Sequence, residues 1–182
     1  MQISRLWAGH IDDQLVSVKV PESVTSMCSV EALNCLMGGM WSTRPAWGKL
    51  YRRSLLEHIQ FTEDHIFEEV RFSAATFANA SRIIFSDKTL YHYCVRAGSI
   101  MTTDYTRQVR DLTLAMGYVY LLLREKNLFY QCEAGFVLWL ARIAISNIDL
   151  FSREQVDIEV FKDASRVLNT IYHEIGGIGG RK

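Results

Sequence analysis

The spacing of apolar and polar positions changes period along this chain. Residues 2–8 (Q-I-S-R-L-W-A) and 15–20 (L-V-S-V-K-V) alternate as short strands do. Gly9 to Gln14 carries Asp12 and Asp13 and predicts the turn between them. Pro21 has no backbone donor for a ladder, so it ends the second strand. From Ser29 the period becomes helical. Val30, Leu33, Leu36 and Met37 share one side, Ser29 supplies capping chemistry, and Gly38-Gly39 supplies a stop. Residues 46–58 fit a strand or a helix start equally. Glu68 to Asn79 predicts a helix with Val70, Ala74 and Phe77 on one face. Arg82 to Phe85 and Lys88 to Tyr93 predict two short strands around a turn at Ser86-Asp87.

After about residue 105 three helical patterns follow. The first carries Val109, Leu112, Met116, Val119 and Leu123 at helical spacing. The second, about 131–150, is apolar on most sides. Its most apolar stretch, Ala134 to Ile148, is interrupted by Arg142 and Asn147, which favours a buried helix over a membrane span. The third places Val156, Val160, Ala164, Val167 and Ile171 on one stripe and stops at Gly176-Gly177. The expected fold is α/β in arrangement and α+β by content. A partial sheet with flanking helices occupies 1–105, and a helical extension occupies 106–182.

Composition narrows the function. With 182 residues and a 49% hydrophobic fraction, the chain can bury a real core. Lys plus Arg equals Asp plus Glu at 20 each, spread evenly, which argues against nucleic acid as a partner. Cys28, Cys35, Cys94 and Cys132 form no CxxC pair, so they predict buried thiols in a reducing cytoplasm rather than a zinc site. The N-terminus has no signal-peptide pattern.

The densest charge feature is Glu63, Asp64, Glu68 and Glu69, with His65 inside it. His65 and Glu69 stand one helical turn apart, but the second histidine of a zinc-hydrolase motif is missing, so no metal is assigned here. Acidic residues at a helix start have an electrostatic reason of their own. An aromatic strip, Tyr118, Tyr120, Phe129 and Tyr130, is either core or a contact face. A hydrolase reading finds little support: there is no G-x-S-x-G elbow, and only Cys94 has a histidine nearby, His92.

Three fragments in order say more than any one of them. Trp47, Lys49, Leu50, Tyr51 and Arg52 are followed by Phe61, then by Glu68, Val70 and Phe72. Leu90, Tyr91 and Tyr93 follow, and then Arg96, Gly98, Ser99 and Ile100. This arrangement resembles the acceptor-side half of a family 2 glycosyltransferase of the GT-A type, over about residues 1–105. The resemblance implies inverting sugar transfer, in which a carboxylate takes the proton of the attacking hydroxyl. It assigns that role to Glu69, with Glu68 as the alternative. Trp47, Lys49, Arg96 and Ser99 become substrate-binding candidates. Two departures stand out. The family has aspartate where this chain has Glu69, and often arginine where it has Cys94.

The same resemblance implies a nucleotide-binding half ending in a D-x-D motif that positions Mg or Mn. No D-x-D is present, and Asp157-Ile158-Glu159 lies in a helical stripe. The reading is therefore an acceptor site without a donor site, inactive by itself, with Met1 an internal start, the start of a truncated reading frame or the edge of a deliberate fragment. Nucleotide sugar would bind only with the missing half, which would also supply the central parallel strands. The implied setting is bacterial surface polysaccharide or lipopolysaccharide synthesis in the cytoplasm, and the inner face of the membrane and association through an exposed sheet edge stay open. The competing reading is a non-catalytic helical interaction module or a decayed remnant.

Overall fold

The computed structural model describes residues 2–8, 24–39, 44–93, 104–153 and 156–176. Four strands and five helices are described: β1 (Gln2–Ala8), β2 (Val24–Met27), α1 (Ser29–Gly38), β3 (Lys49–Leu50), α2 (Glu68–Asn79), β4 (Ile83–Tyr93), α3 (Tyr105–Glu125), α4 (Phe129–Arg153) and α5 (Ile158–Glu174). A short 3-10 helix, Arg53–Leu56, follows β3. This is an α+β fold with a helical C-terminal part. The predicted strand at 15–20, its turn, and Cys94, Arg96 and Ser99 lie outside the described residues.

The strands form one sheet in the order β2-β4-β1-β3. β1 and β4 are the inner pair and run parallel, while β2 and β3 flank them antiparallel. The sequence reading expected the central parallel strands to come from outside this chain; here β1 and β4 supply such a pair themselves.

A second expectation also changes. Ile83–Tyr93 is one strand, not two strands around a turn. The register explains why. Ser4 pairs with Ser86 and Arg5 with Thr89, so Asp87 and Lys88 are extra residues on β4. The Ser-Asp turn signal marks a bulge, which absorbs extra residues while the strand continues along β1.

The helices follow their patterns closely. α1 is capped one residue earlier than expected, by Cys28, and begins at Ser29 itself. The Cys28 amide donates to Glu31 Oε2 at 2.8 Å, closing a capping box, and Ser29 instead donates to the Ala80 carbonyl at 2.8 Å, tying α1 to the end of α2. Gly39, at φ 87°, ends α1 in the left-handed conformation that glycine adopts without strain. Buried side chains of α1 to α5 and of β4 form one main core, with Phe77, Phe136, Leu33, Met37 and Leu123 fully enclosed.

α4 departs from the expected buried helix. Phe129, Cys132, Phe136, Trp139, Leu140 and Ile143 face the core, but Leu138, Ile145 and Ile148 are 59%, 67% and 59% exposed. By length and composition this helix is apolar enough to cross a membrane, with 28% of its most apolar window buried. The aromatic strip divides as well: Tyr120 and Phe129 are core, while Tyr118 and Tyr130 are exposed. Cys132 is buried as expected, but Cys28 is exposed and Cys35 half-buried.

Candidate functional site

The site is built around the N-terminus of α2. The approach to this helix is conformationally unusual. Asp64 and Phe67 both adopt left-handed backbone, with φ 59° and 63°. For a bulky residue such as Phe67 this region is strained and is held only by surrounding structure. Phe67 packs against the main core, and Asp64 is held through its carbonyl, which accepts from Arg107 Nη2 at 2.9 Å.

A buried carboxylate fixes the same loop. Asp111 on α3 is 1% exposed. It accepts from the Ile66 amide at 2.9 Å and from Arg110 Nε at 2.8 Å, with Arg107 Nε at 3.4 Å and His65 Nδ1 at 3.2 Å. Burial alone would raise this carboxyl. The hydrogen bonds from Arg110, the Ile66 amide and His65 outweigh it and hold Asp111 below its ordinary value. His65 is thus a partner of Asp111. Among the described residues no group of three or more His, Cys, Asp or Glu is placed to hold a metal ion.

The loop presents Glu68 and Glu69 in the first turn of α2. Both are half-buried, whereas Glu63 and Asp64 are exposed, so the acidic cluster is not uniformly a solvated helix start. Burial raises the Glu69 carboxyl above its ordinary value. Its own backbone amide at the helix start opposes that rise, Glu68 adds to it, and Arg44 and Lys49 oppose it. Desolvation outweighs the helix start here.

Lys49 lies on β3 and its ammonium donates to the Pro45 carbonyl. Burial pushes it down to about 7, against the pull of Glu69. The Tyr51 hydroxyl donates to the Ala46 carbonyl at 2.9 Å, and its ring meets Phe72 edge-on at 5.4 Å. Phe61 stacks on the other side of Phe72 at 4.1 Å. The motif residues Tyr51, Phe61 and Phe72 are therefore one aromatic stack that joins the β3 segment to α2. Trp47 is half-buried on the same segment.

Sequence reasoning missed Arg44 and Arg142. The Arg44 carbonyl accepts from Ser73 on α2 at 2.8 Å, and its side chain interacts with both Glu69 and Arg142. Arg142, from α4, donates to the Gly38 carbonyl at 2.8 Å. The sequence marks Arg142 only as a charge interrupting an apolar helix; its partner, Gly38, lies 104 residues away. Cavities lie elsewhere, among them one of about 560 Å³ beside the C-terminal end of α2 and a groove of about 340 Å³ between α4 and α5. Neither includes Glu69 or Lys49.

Over 101 residues, 56% of its length, this chain is 27% identical to Glycosyltransferase GlyA of Streptococcus pneumoniae serotype 4. The match relates the chain to a glycosyltransferase. It covers 14% of that protein, so the chain spans a small part of its relative. No family model matches, and no solved structure matches.

Proposed function

We propose that this chain is the acceptor-binding and general-base part of an inverting, family 2-like nucleotide-sugar transferase. In this reading residues 1–105 form the acceptor side and 106–182 a helical extension. The observation that carries it is the placement of Glu69 in the first turn of α2, half-buried and within the electrostatic reach of Lys49 and Arg44. A carboxylate withdrawn from water and held above its ordinary value is a stronger proton acceptor than a solvated one, which suits deprotonation of a sugar hydroxyl. The strained loop at Asp64 and Phe67 supports the same place, because such backbone persists where structure over-determines it.

The roles divide as follows. Glu69 takes the proton of the acceptor hydroxyl as it attacks the anomeric carbon, and Glu68 is the neighbouring alternative. Lys49 and Trp47 contact substrate, and the resemblance gives Arg96 and Ser99 the same role. The donor-binding part, with its D-x-D motif and Mg or Mn, lies outside this sequence, so the isolated chain does not turn over nucleotide sugar. The product belongs to surface polysaccharide or lipopolysaccharide, made in the cytoplasm or at the inner face of the membrane.

The test supplies a donor-binding half, fused or in trans, and follows release of nucleoside diphosphate. Transfer appears only with both parts, and Glu69→Gln lowers kcat by about 10²–10⁴-fold with little change in KM. Robust turnover by 1–182 without that half would overturn the inactivity, and an unaltered Glu69→Gln enzyme would remove Glu69 as the base.

A further inference from the structure

Two guanidinium groups converge at Gly39, and one of them, Arg44, is drawn toward Glu69. Arg142 Nη1 and Arg44 Nη2 stand 3.6 and 3.8 Å from the point where a Cβ on Gly39 would lie. The two groups are therefore separated by no more than two van der Waals contacts. Arg44 is half-buried, and no salt bridge joins Arg44 or Arg142 to a carboxylate among the described residues. Their hydrogen bonds restrain the pair instead: Arg142 donates to Gly38, and Ser73 donates to the Arg44 carbonyl. Glu69 attracts Arg44 and Arg142 repels it, so the two cations are only partly compensated and a further anion would be held by both. Gly39, at φ 87°, presents no side chain toward either group.

We infer that Arg44 and Arg142 form an anion subsite beside Glu69 that receives a phosphomonoester carried by the acceptor. The inference rests on the reading of Glu69 as the base: the anion lies on the molecule whose hydroxyl that base deprotonates. A phosphomonoester fits better than a carboxylate. At neutral pH it carries nearly two negative charges, matching two guanidiniums, and its oxygens accept bidentate pairs from guanidinium forks. The subsite also gives α4 a direct part in binding, since Arg142 comes from the helical extension.

The experiment is a calorimetric titration of the full chain with glycerol 1-phosphate, with uridine diphosphate in a parallel arm. Wild type binds the phosphomonoester, and Arg142→Gln and Arg44→Gln each weaken it about tenfold or more. Arg142→Lys, which keeps the charge but loses the fork, falls between. Should a glutamine variant fail to fold, the arginine side-chain NH resonances of wild type decide: Arg142 must shift on adding the phosphomonoester. Absence of binding, equal affinity in the variants, or an arginine-dependent preference for the diphosphate would each overturn the assignment. Because the titration needs no turnover, it can succeed while Glu69→Gln leaves transfer unchanged, and then only the base assignment fails.

Discussion

At Glu69 two effects of similar origin oppose each other. The helix start offers backbone donors that favour the carboxylate, and burial removes the water that would solvate it. The net rise has a consequence for stability. A carboxyl raised in the fold contributes fully below its unfolded value, near 4.5, and loses that contribution as the pH climbs through the folded value. Glu69→Gln is therefore expected to melt no lower than wild type at pH 7 and to flatten the decline above pH 4.5. Melting temperature against pH checks this, and a clear drop at pH 7 would mean the carboxylate stabilises the fold. Asp111 has the opposite sign. Its contribution is complete above the unfolded value, near 3.8, and is lost as the pH falls through the depressed folded value. Asp111→Ala strips the Ile66 amide of its partner and is expected to cost about 2–4 kcal/mol at pH 7, read by urea unfolding. The motif singled out the carboxyl at 69 as a candidate. Its protonation energetics were not legible there, because desolvation depends on what packs over it.

At the scale of elements, local pattern carried most of the information. The apolar face and first turn of α2 match the expected Glu68–Asn79 helix, because period and helix ends are short-range properties. β4 failed for the same reason: a Ser-Asp pair reads as a turn or as a bulge, and only the register with β1 distinguishes them. Gly135 inside α4 shows how a neighbour alters a local rule. A mid-helix glycine to alanine change ordinarily gains about 1 kcal/mol. Here the new Cβ would stand 2.5 Å from Asn34 Oδ1, and Asn34 donates to the Gln131 carbonyl at 3.3 Å. Gly135→Ala is expected to forfeit that gain, as denaturant midpoints would show. A full 1 kcal/mol increase would mean that Asn34 moves aside freely.

At the scale of the molecule, the N-terminal and C-terminal parts share one core. α1 packs on α4, and α2 packs on α3, so Met37 and Phe77 are enclosed partly by the later helices. Phe136 lies at the centre with Tyr120, Phe129 and Trp139 around it. Phe136→Ala is expected to cost about 3–5 kcal/mol, whereas Ile145→Ser, on the exposed side of the same helix, should stay within about 0.5 kcal/mol. Urea unfolding of the two variants separates these sides; equal losses would mean that the exposed face is covered in solution.

The sequence by itself determined where most helices and strands lie, where α1 ends, and which carboxylates open α2. These follow from periods and caps that act over a few residues. The tertiary structure alone decided which side of α4 is buried, that β1 and β4 pair in parallel across a bulge, and that Asp111 secures the loop before Glu69. It also brought Arg142 to Gly38. Each of these depends on contacts between distant segments, and on the water those contacts exclude, which no local pattern records.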